Sequence, residues 1–246
     1  MPACGEIVRP ILADVELGGK SPSVIFPDAD LERAATDTTK AFWNVGQICF
    51  AGTRIYVHER IYDEFVELLV ERTEQLTCDA GMNDPDPGPL ITPEARDNVA
   101  EHVDRALENG GQLPTSGEPL ERDRNFYAPT VIDSVDDDAP ISCNEVFGPA
   151  LTVYEFDSET EAIRRVNDSR YGLYAIVWTR DLGCAHCLAD ELEAGTVAVN
   201  EFPVVFNQAP FGGYKESGLG RVNGTQAVSH FTELENVIMN YGGNDE

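Results

Sequence analysis

The chain has 246 residues, 44 acidic against 17 basic, for a formal net charge of −27, and 42% of it is hydrophobic. That composition describes a globular chain able to bury a sizeable core, while its charge repels phosphate backbones and anionic lipid and so argues against nucleic acid and membrane surfaces as partners. The acid is interleaved with apolar periodicity rather than gathered in a tail, which reads as a solvated folded surface, and molar salt would screen its self-repulsion, so a high-salt cytoplasm is expected.

Taken in order, residues 14–17 and 23–26 read as short apolar strands around the Gly18-Gly19 turn. A helix starts near Asp30, carries an apolar stripe through Ala34, Ala35, Thr38 and Phe42, and delivers the chain into the loop 46–49. A strand follows over 54–58, and Ile61, Phe65, Leu68, Leu69 and Leu76 then share one helical face. Thr92-Pro93 opens another helix that stops at Asn109-Gly110-Gly111. Strands are predicted at 150–156, 174–179 and 196–200, and helices at 158–166, with a Ser158/Glu161 capping box, and 182–193. Residues 83–89 and 114–123 read as surface loops, and 235–241 as a strand that leaves the main sheet. Strands separated by helices of this length imply right-handed parallel crossovers, hence an α/β fold with an open, mostly parallel twisted sheet covered by helices.

Two segments carry chemistry. VELGGKSP, 15–22, and NVGQICFAGTR, 44–54, present Glu16 and Cys49 from glycine-containing turns. A thiolate attacks carbonyl carbon and a nearby carboxylate can take a proton from water, so the pair suits covalent catalysis followed by hydrolysis. A lone cysteine reads as a small buried hydrophobe; the flanking motif changes that reading. A loop at a helix end with free backbone N–H groups is expected to raise the thiolate fraction of Cys49 and to stabilise an oxyanion.

Both segments, with GPLI at 88–91, NEVFGP at 144–149 and QAPFGGYKESGLGR at 208–221, resemble in order the signatures of the NAD(P)-dependent aldehyde dehydrogenase superfamily, in its C-terminal, catalytic half. The resemblance implies that Cys49 is the nucleophile, forming a thiohemiacetal and then a thioester, and that Glu16 activates the water that releases the acid. It implies that Glu145, Phe147 and Leu17 contact the cofactor, NAD or NADP, with Glu145 on the nicotinamide ribose and Phe147 beside the ring. It makes Phe50 and Phe211 walls of the aldehyde site. Phe50 follows the nucleophile where relatives usually carry a smaller residue, which should narrow that pocket. Val222 stands where many relatives have a glutamate thought to assist proton traffic, and Asn144 replaces a common acid.

Implied boundaries are 1–14 as a remnant of the nucleotide-binding domain, 15–230 as the catalytic domain and 231–246 as a C-terminal strand for oligomerisation. The remaining cofactor surface, including an oxyanion-hole asparagine, belongs to the missing nucleotide-binding domain, so the chain alone is expected to show no NAD-dependent oxidation. Two functions compete: an aldehyde dehydrogenase acting with an N-terminal half or as a homo-oligomer, and a truncated, inactive fragment that serves as a binding or subunit-interaction domain.

Other features read blandly. Gly212, Gly213, Gly218, Gly220 and Gly224 do not complete a dinucleotide fingerprint, because the third glycine of the motif falls one place late and no strand precedes it. Cys184-Ala-His-Cys187 lacks a second cysteine pair, so ordinary helical positions outweigh a metal site. The six cysteines, far apart except for the last pair, with no apolar leader or span, suggest a reducing cytoplasm.

Overall fold

The computed structural model describes residues 15–83, 86–115, 117–120 and 125–241. The segment 1–14, Cys4 within it, and residues 242–246 therefore lie outside the described residues.

The main sheet is built from β2 (Ser21–Ile25), β3 (Gly52–His58), β4 (Thr130–Ile132), β5 (Ala150–Phe156), β7 (Tyr174–Trp178) and β8 (Thr196–Val199). The order across the sheet is β4-β5-β3-β2-β7-β8, and every neighbouring pair is parallel. Outside it, β1 (Val15–Glu16) pairs antiparallel with β10 (Gly218–Leu219), and β6 (Tyr171–Gly172) with β9 (Tyr214–Lys215).

Side chains alternate across the sheet as a period of two requires. Ile25, Ile55, Val57, Leu151, Val153 and Ile176 point to one face, where α1 (Leu31–Thr38) and α2 (Tyr62–Glu74) supply Ala34, Ala35, Phe65 and Leu69. Val24, Tyr56, Tyr154, Phe156, Ala175 and Val177 point to the other, covered by α5 (Glu159–Asn167) and α6 (Leu182–Glu191) through Ala162, Val166 and Leu188. A third cluster joins α3 (Pro93–Glu108) and α4 (Pro140–Cys143) to the β4 edge through Val99, Val103, Ile132 and Ile141. Burial on both faces explains the nearly continuous apolar strands.

The predicted helix starts are set by side-chain caps. Asp30, Thr92, Ser158 and Asp181 each accept from a first-turn amide, satisfying donors that the helix leaves unpaired. At α5 the return leg of the capping box differs: Glu161 accepts from the Asp157 amide, one residue before the cap.

Three expectations change. The helix that begins after Asp30 ends at Thr38 and continues as a tighter 3₁₀ segment, Thr39–Gly46, broken at Trp43, so Phe42 is buried from that segment rather than from α1. Of the strand expected at 14–17, residue 14 lies outside the described residues, Val15–Glu16 pair with β10 in a small ladder rather than in the main sheet, and Leu17 lies beyond the strand at the start of the glycine turn. Residues 235–241 form no strand with any described residue; a ladder needs a partner, and Leu234, Ile238 and Tyr241 are instead exposed.

No helix among the described residues is long and apolar enough to cross a membrane. Cys184 and Cys187 sit on α6 as free thiols, both raised above the usual thiol range, Cys184 by burial and Cys187 by hydrogen bonding to Glu159. Among the described residues no group of three His, Cys, Asp or Glu could hold a metal ion.

Candidate active site

Because the strands are parallel, the segments leading into them gather at one edge of the sheet. The turn carrying Glu16 precedes β2, the Cys49 loop precedes β3, and the Glu145 segment precedes β5, so all three meet at the amino ends of neighbouring strands. Ligands of open α/β sheets more often sit beyond the carboxyl ends.

The Cys49 loop is shaped by a sharp reversal. Asn44, Val45 and Gly46 have φ of 48°, 54° and 73°, left-handed values that a β-branched valine adopts only under constraint. Two contacts supply it: the Asn44 side-chain amide donates to the Gln47 carbonyl at 2.9 Å, and Val45 is buried. Gly46 lies so close to the next loop that a Cβ there would meet the Gly148 carbonyl oxygen at 2.2 Å. This contact seats the nucleophile loop against NEVFGP.

Cys49 is half-buried and free. Its thiol is pushed up to about 11, first by burial and then by the Glu16 carboxylate, which acts through its charge and as a hydrogen-bond partner. The backbone amides of Phe50 and Cys49 pull the other way, as the loop predicts, and are outweighed. The expectation of a raised thiolate fraction is therefore corrected: desolvation and a facing anion both favour the neutral thiol. Glu16 itself is exposed at the end of β1 and accepts from the Gly18 amide at 3.3 Å.

Glu145 reaches the same turn from the opposite side, accepting from the Gly19 amide at 3.1 Å. Gly18 has φ of 93°, and a Cβ there would lie 2.2 Å from a Glu145 carboxylate oxygen. Burial raises the Glu145 carboxyl, and the Glu16 charge adds to this, while the Gly19 amide and Lys20 oppose it. Phe147 projects from the same loop with φ of 54° and is 43% exposed. A carboxylate fixed on a bare glycine turn, with an exposed ring two residues on, fits one end of a nicotinamide nucleotide: hydroxyls for the acid and a flat face for the ring. Leu17, 59% exposed, lies on the same turn.

Phe50 and Phe211 come together. Phe50 packs edge-on to Phe211 with centroids 6.0 Å apart, and Tyr174 stands 5.9 Å from Phe50 on the other side. Phe211 is held by reciprocal backbone hydrogen bonds with Val222, each 2.8 Å. Val222 thus anchors Phe211.

Three contributors escaped the sequence reading: Tyr174, Ser217 and Lys20. Lys20 is only 2% exposed, and its ammonium is pushed down to about 7 by burial and then by Arg54, against the opposing pull of Glu145 and Cys143. The sequence offers only its place between the glycine turn and β2, every residue of which is buried.

The model of the aldehyde dehydrogenase family matches residues 7–237. The chain belongs to the aldehyde dehydrogenase family. Among curated aldehyde dehydrogenases it is 40% identical over 232 residues to the betaine aldehyde dehydrogenase of Bacillus subtilis, covering 92% of this chain and 47% of that protein. It is 39% identical over 233 residues to the betaine aldehyde dehydrogenase of Sinorhizobium fredii, covering 93% and 48%. Among solved family members, the NAD+ complex of the aldehyde dehydrogenase from Bacillus cereus superposes with a TM-score of 0.91 at 39% identity, over 93% of this chain and 47% of that one. The chain spans about half the length of the relatives it matches.

Proposed function

We propose that this chain is the catalytic, C-terminal half of an NAD(P)-dependent aldehyde dehydrogenase that oxidises an aldehyde to its carboxylic acid, with Cys49 as nucleophile and Glu16 as base. The observation that carries the reading is the convergence of the Cys49 thiol and the Glu16 carboxylate at the amino edge of the sheet, beside Glu145 on the Gly18-Gly19 turn. In this reading residues 15–230 form the catalytic domain, 1–14 end the nucleotide-binding domain, and 231–246 pair with another subunit. The exposed apolar side chains of the last segment, among them Leu234 and Ile238, support its pairing outside this chain.

The chain's residues divide the work as follows. The resting thiol is neutral, so attack on the aldehyde carbon requires loss of its proton, and Glu16 is the acceptor in place. Sulfur adds to the carbonyl and a thiohemiacetal forms on Cys49, with the Cys49 and Phe50 amides available as donors to developing negative charge. NAD or NADP, when bound, supplies the hydride acceptor; Glu145 and Phe147 would hold its nicotinamide end. Glu16 passes the thiol proton on to the new hydroxyl, and that hydroxyl's proton leaves to solvent as the hydride departs, so Glu16 is again a carboxylate when water opens the thioester; it takes a proton from the water and returns it to the departing Cys49 sulfur as the acid is released. Phe50, Phe211 and Tyr174 exclude water from the aldehyde's apolar part and narrow the space beside the sulfur.

Acyl transfer from an activated aryl ester tests this without a cofactor. Mass spectrometry should find the acyl group on Cys49, Cys49→Ala should lose it, and Glu16→Gln should accumulate it because deacylation slows by ~10²- to 10⁴-fold. Acylation at another cysteine, or undiminished turnover of Glu16→Gln, would overturn the assignment.

A further inference from the structure

Ser217 is completely buried between the two small ladders. Its main-chain carbonyl accepts from the Leu17 amide at 2.9 Å, immediately after Glu16. Its side-chain hydroxyl accepts from the Gly172 amide at 3.0 Å, and its own amide donates to the Tyr214 carbonyl at 3.0 Å. The next residue, Gly218, stands opposite Glu16 in the β1–β10 ladder. One residue thus ties together the loop after β9, the strand that carries the glutamate, and the β6 segment, whose neighbour Leu173 covers Gly19. β1 as described is two residues long, and among the described residues this carbonyl is what holds the Leu17 amide at its exit, before the Gly19 amide meets Glu145.

We propose that Ser217 is a positioning residue for Glu16: its hydroxyl fixes it to β6, its carbonyl fixes the end of β1, and the carboxylate is thereby kept facing the Cys49 thiol. The proposal rests on the pairing of Glu16 with Cys49. Replacing Ser217 by alanine strips the buried Gly172 amide of its acceptor, and a buried donor left unpaired drives local rearrangement. The carbonyl that holds Leu17 moves with it. An exposed two-residue strand has little else to keep its end in register, so the carboxylate should drift toward solvent and its influence on the thiol should weaken. The charged groups that bear on the pair are few: Glu16 itself faces Cys49, its charge also raises the Glu145 carboxyl in the loop before β5, and Lys20, just before β2, lowers that carboxyl in turn.

The test reads the ionisation of Cys49 in the whole chain, by the rate of iodoacetamide alkylation against pH with peptide mapping, and uses exposed Cys143 as the internal reference. The wild-type profile of Cys49 should have its midpoint near 11. Glu16→Gln should lower it, raising the alkylation rate at pH 8 by about tenfold for each unit of fall. Ser217→Ala should move it in the same direction by at least half as much, with Cys143 unchanged. Leu17→Pro removes the donor of the main-chain bond without touching Ser217 and should act alike; it decides the question if Ser217→Ala does not fold. A role confined to stability would lower the melting temperature and leave the Cys49 midpoint in place. If Glu16→Gln shifts the midpoint and neither other variant does, the positioning role is wrong while the pairing stands. If Glu16→Gln itself has no effect, the pairing fails and the proposal falls with it.

Discussion

The Glu145 carboxylate fills the space that a side chain on Gly18 would need, and it accepts from the amide of the next residue, Gly19, at 3.1 Å. The turn and the acid therefore specify each other: the glycine leaves room for the carboxylate, and the carboxylate satisfies an amide that the turn exposes. Gly18→Ala should both strain a backbone at φ 93° and expel Glu145. A left-handed alanine costs about 1–2 kcal/mol, so urea denaturation should show at least that loss. Gly81→Ala, with open space around it, should change stability little. A Gly18→Ala loss no larger than this backbone strain would mean that Glu145 does not occupy the turn.

The second expectation concerns the order in which cysteines react. Cys49 has a thiol pushed up to about 11, so at pH 8 only about one molecule in a thousand carries the thiolate. Cys143 is exposed at the end of α4. Limited alkylation at pH 8, followed by peptide mapping, should label Cys143 before Cys49. Between pH 8 and pH 10 the Cys49 rate should rise about tenfold per unit. Preferential labelling of Cys49 at pH 8 would show that the loop amides prevail over burial and Glu16.

How far such features could be read from the sequence depended on whether their causes are local. Asp30, Thr92, Ser158 and Asp181 announced their helices because a cap is made by one side chain and an amide two or three residues on. The apolar runs 150–156 and 174–179 were legible as strands because the doubly covered sheet buries both of their faces. Thr130–Ile132 was not singled out: three residues carry no periodicity, and this strand exists because β5 lies beside it. At the site, the motifs named Glu16, Cys49, Glu145 and Phe147, and the fold brings their loops to one edge. The ionisation of Cys49 was misread because burial and the facing carboxylate come from elements far apart in the chain, whereas the loop amides are local. Lys20 is the same case: its place after the glycine turn is local, but Arg54, which helps to lower its ammonium, comes from β3.

A third expectation follows from the charge. With 44 acidic and 17 basic residues, most surface carboxylates have no cation to pair with. Several ion pairs that do form, such as Arg33–Glu201 and Arg96–Asp97, are largely solvent-exposed and contribute little. Self-repulsion should therefore dominate the salt response. Raising KCl from about 0.1 M to 1 M shortens the Debye length from about 10 Å to about 3 Å, and the melting temperature should rise with it. A melting temperature that is flat or falls over this range removes the high-salt adaptation.

The last expectation is a pH dependence that belongs to Lys20. Its folded value, about 7, lies well below the ordinary 10.5, chiefly because burial penalises the ammonium and secondarily because Arg54 repels it. Below about pH 7 both folded and unfolded chains carry the proton, and the full penalty of burying the charge is present. Between about 7 and 10.5 the unfolded chain binds the proton and the folded chain does not, so this residue makes stability rise with pH across that window. Above it both forms are neutral and the contribution is constant. Other groups titrate in the same range with the opposite sign, Cys49 among them, since an acid whose folded value is raised loses stability as pH climbs. The contribution of Lys20 is therefore read as a difference between wild type and Lys20→Met, which keeps the aliphatic stem and removes the charge. Urea denaturation from pH 6 to pH 10 should find the variant more stable than wild type at pH 6, by a margin on the order of a few kcal/mol. That margin should shrink steadily above pH 7. A constant margin would mean that Lys20 is charged and compensated in the folded state, and a variant less stable at pH 6 would mean that its attraction to Glu145 outweighs its burial.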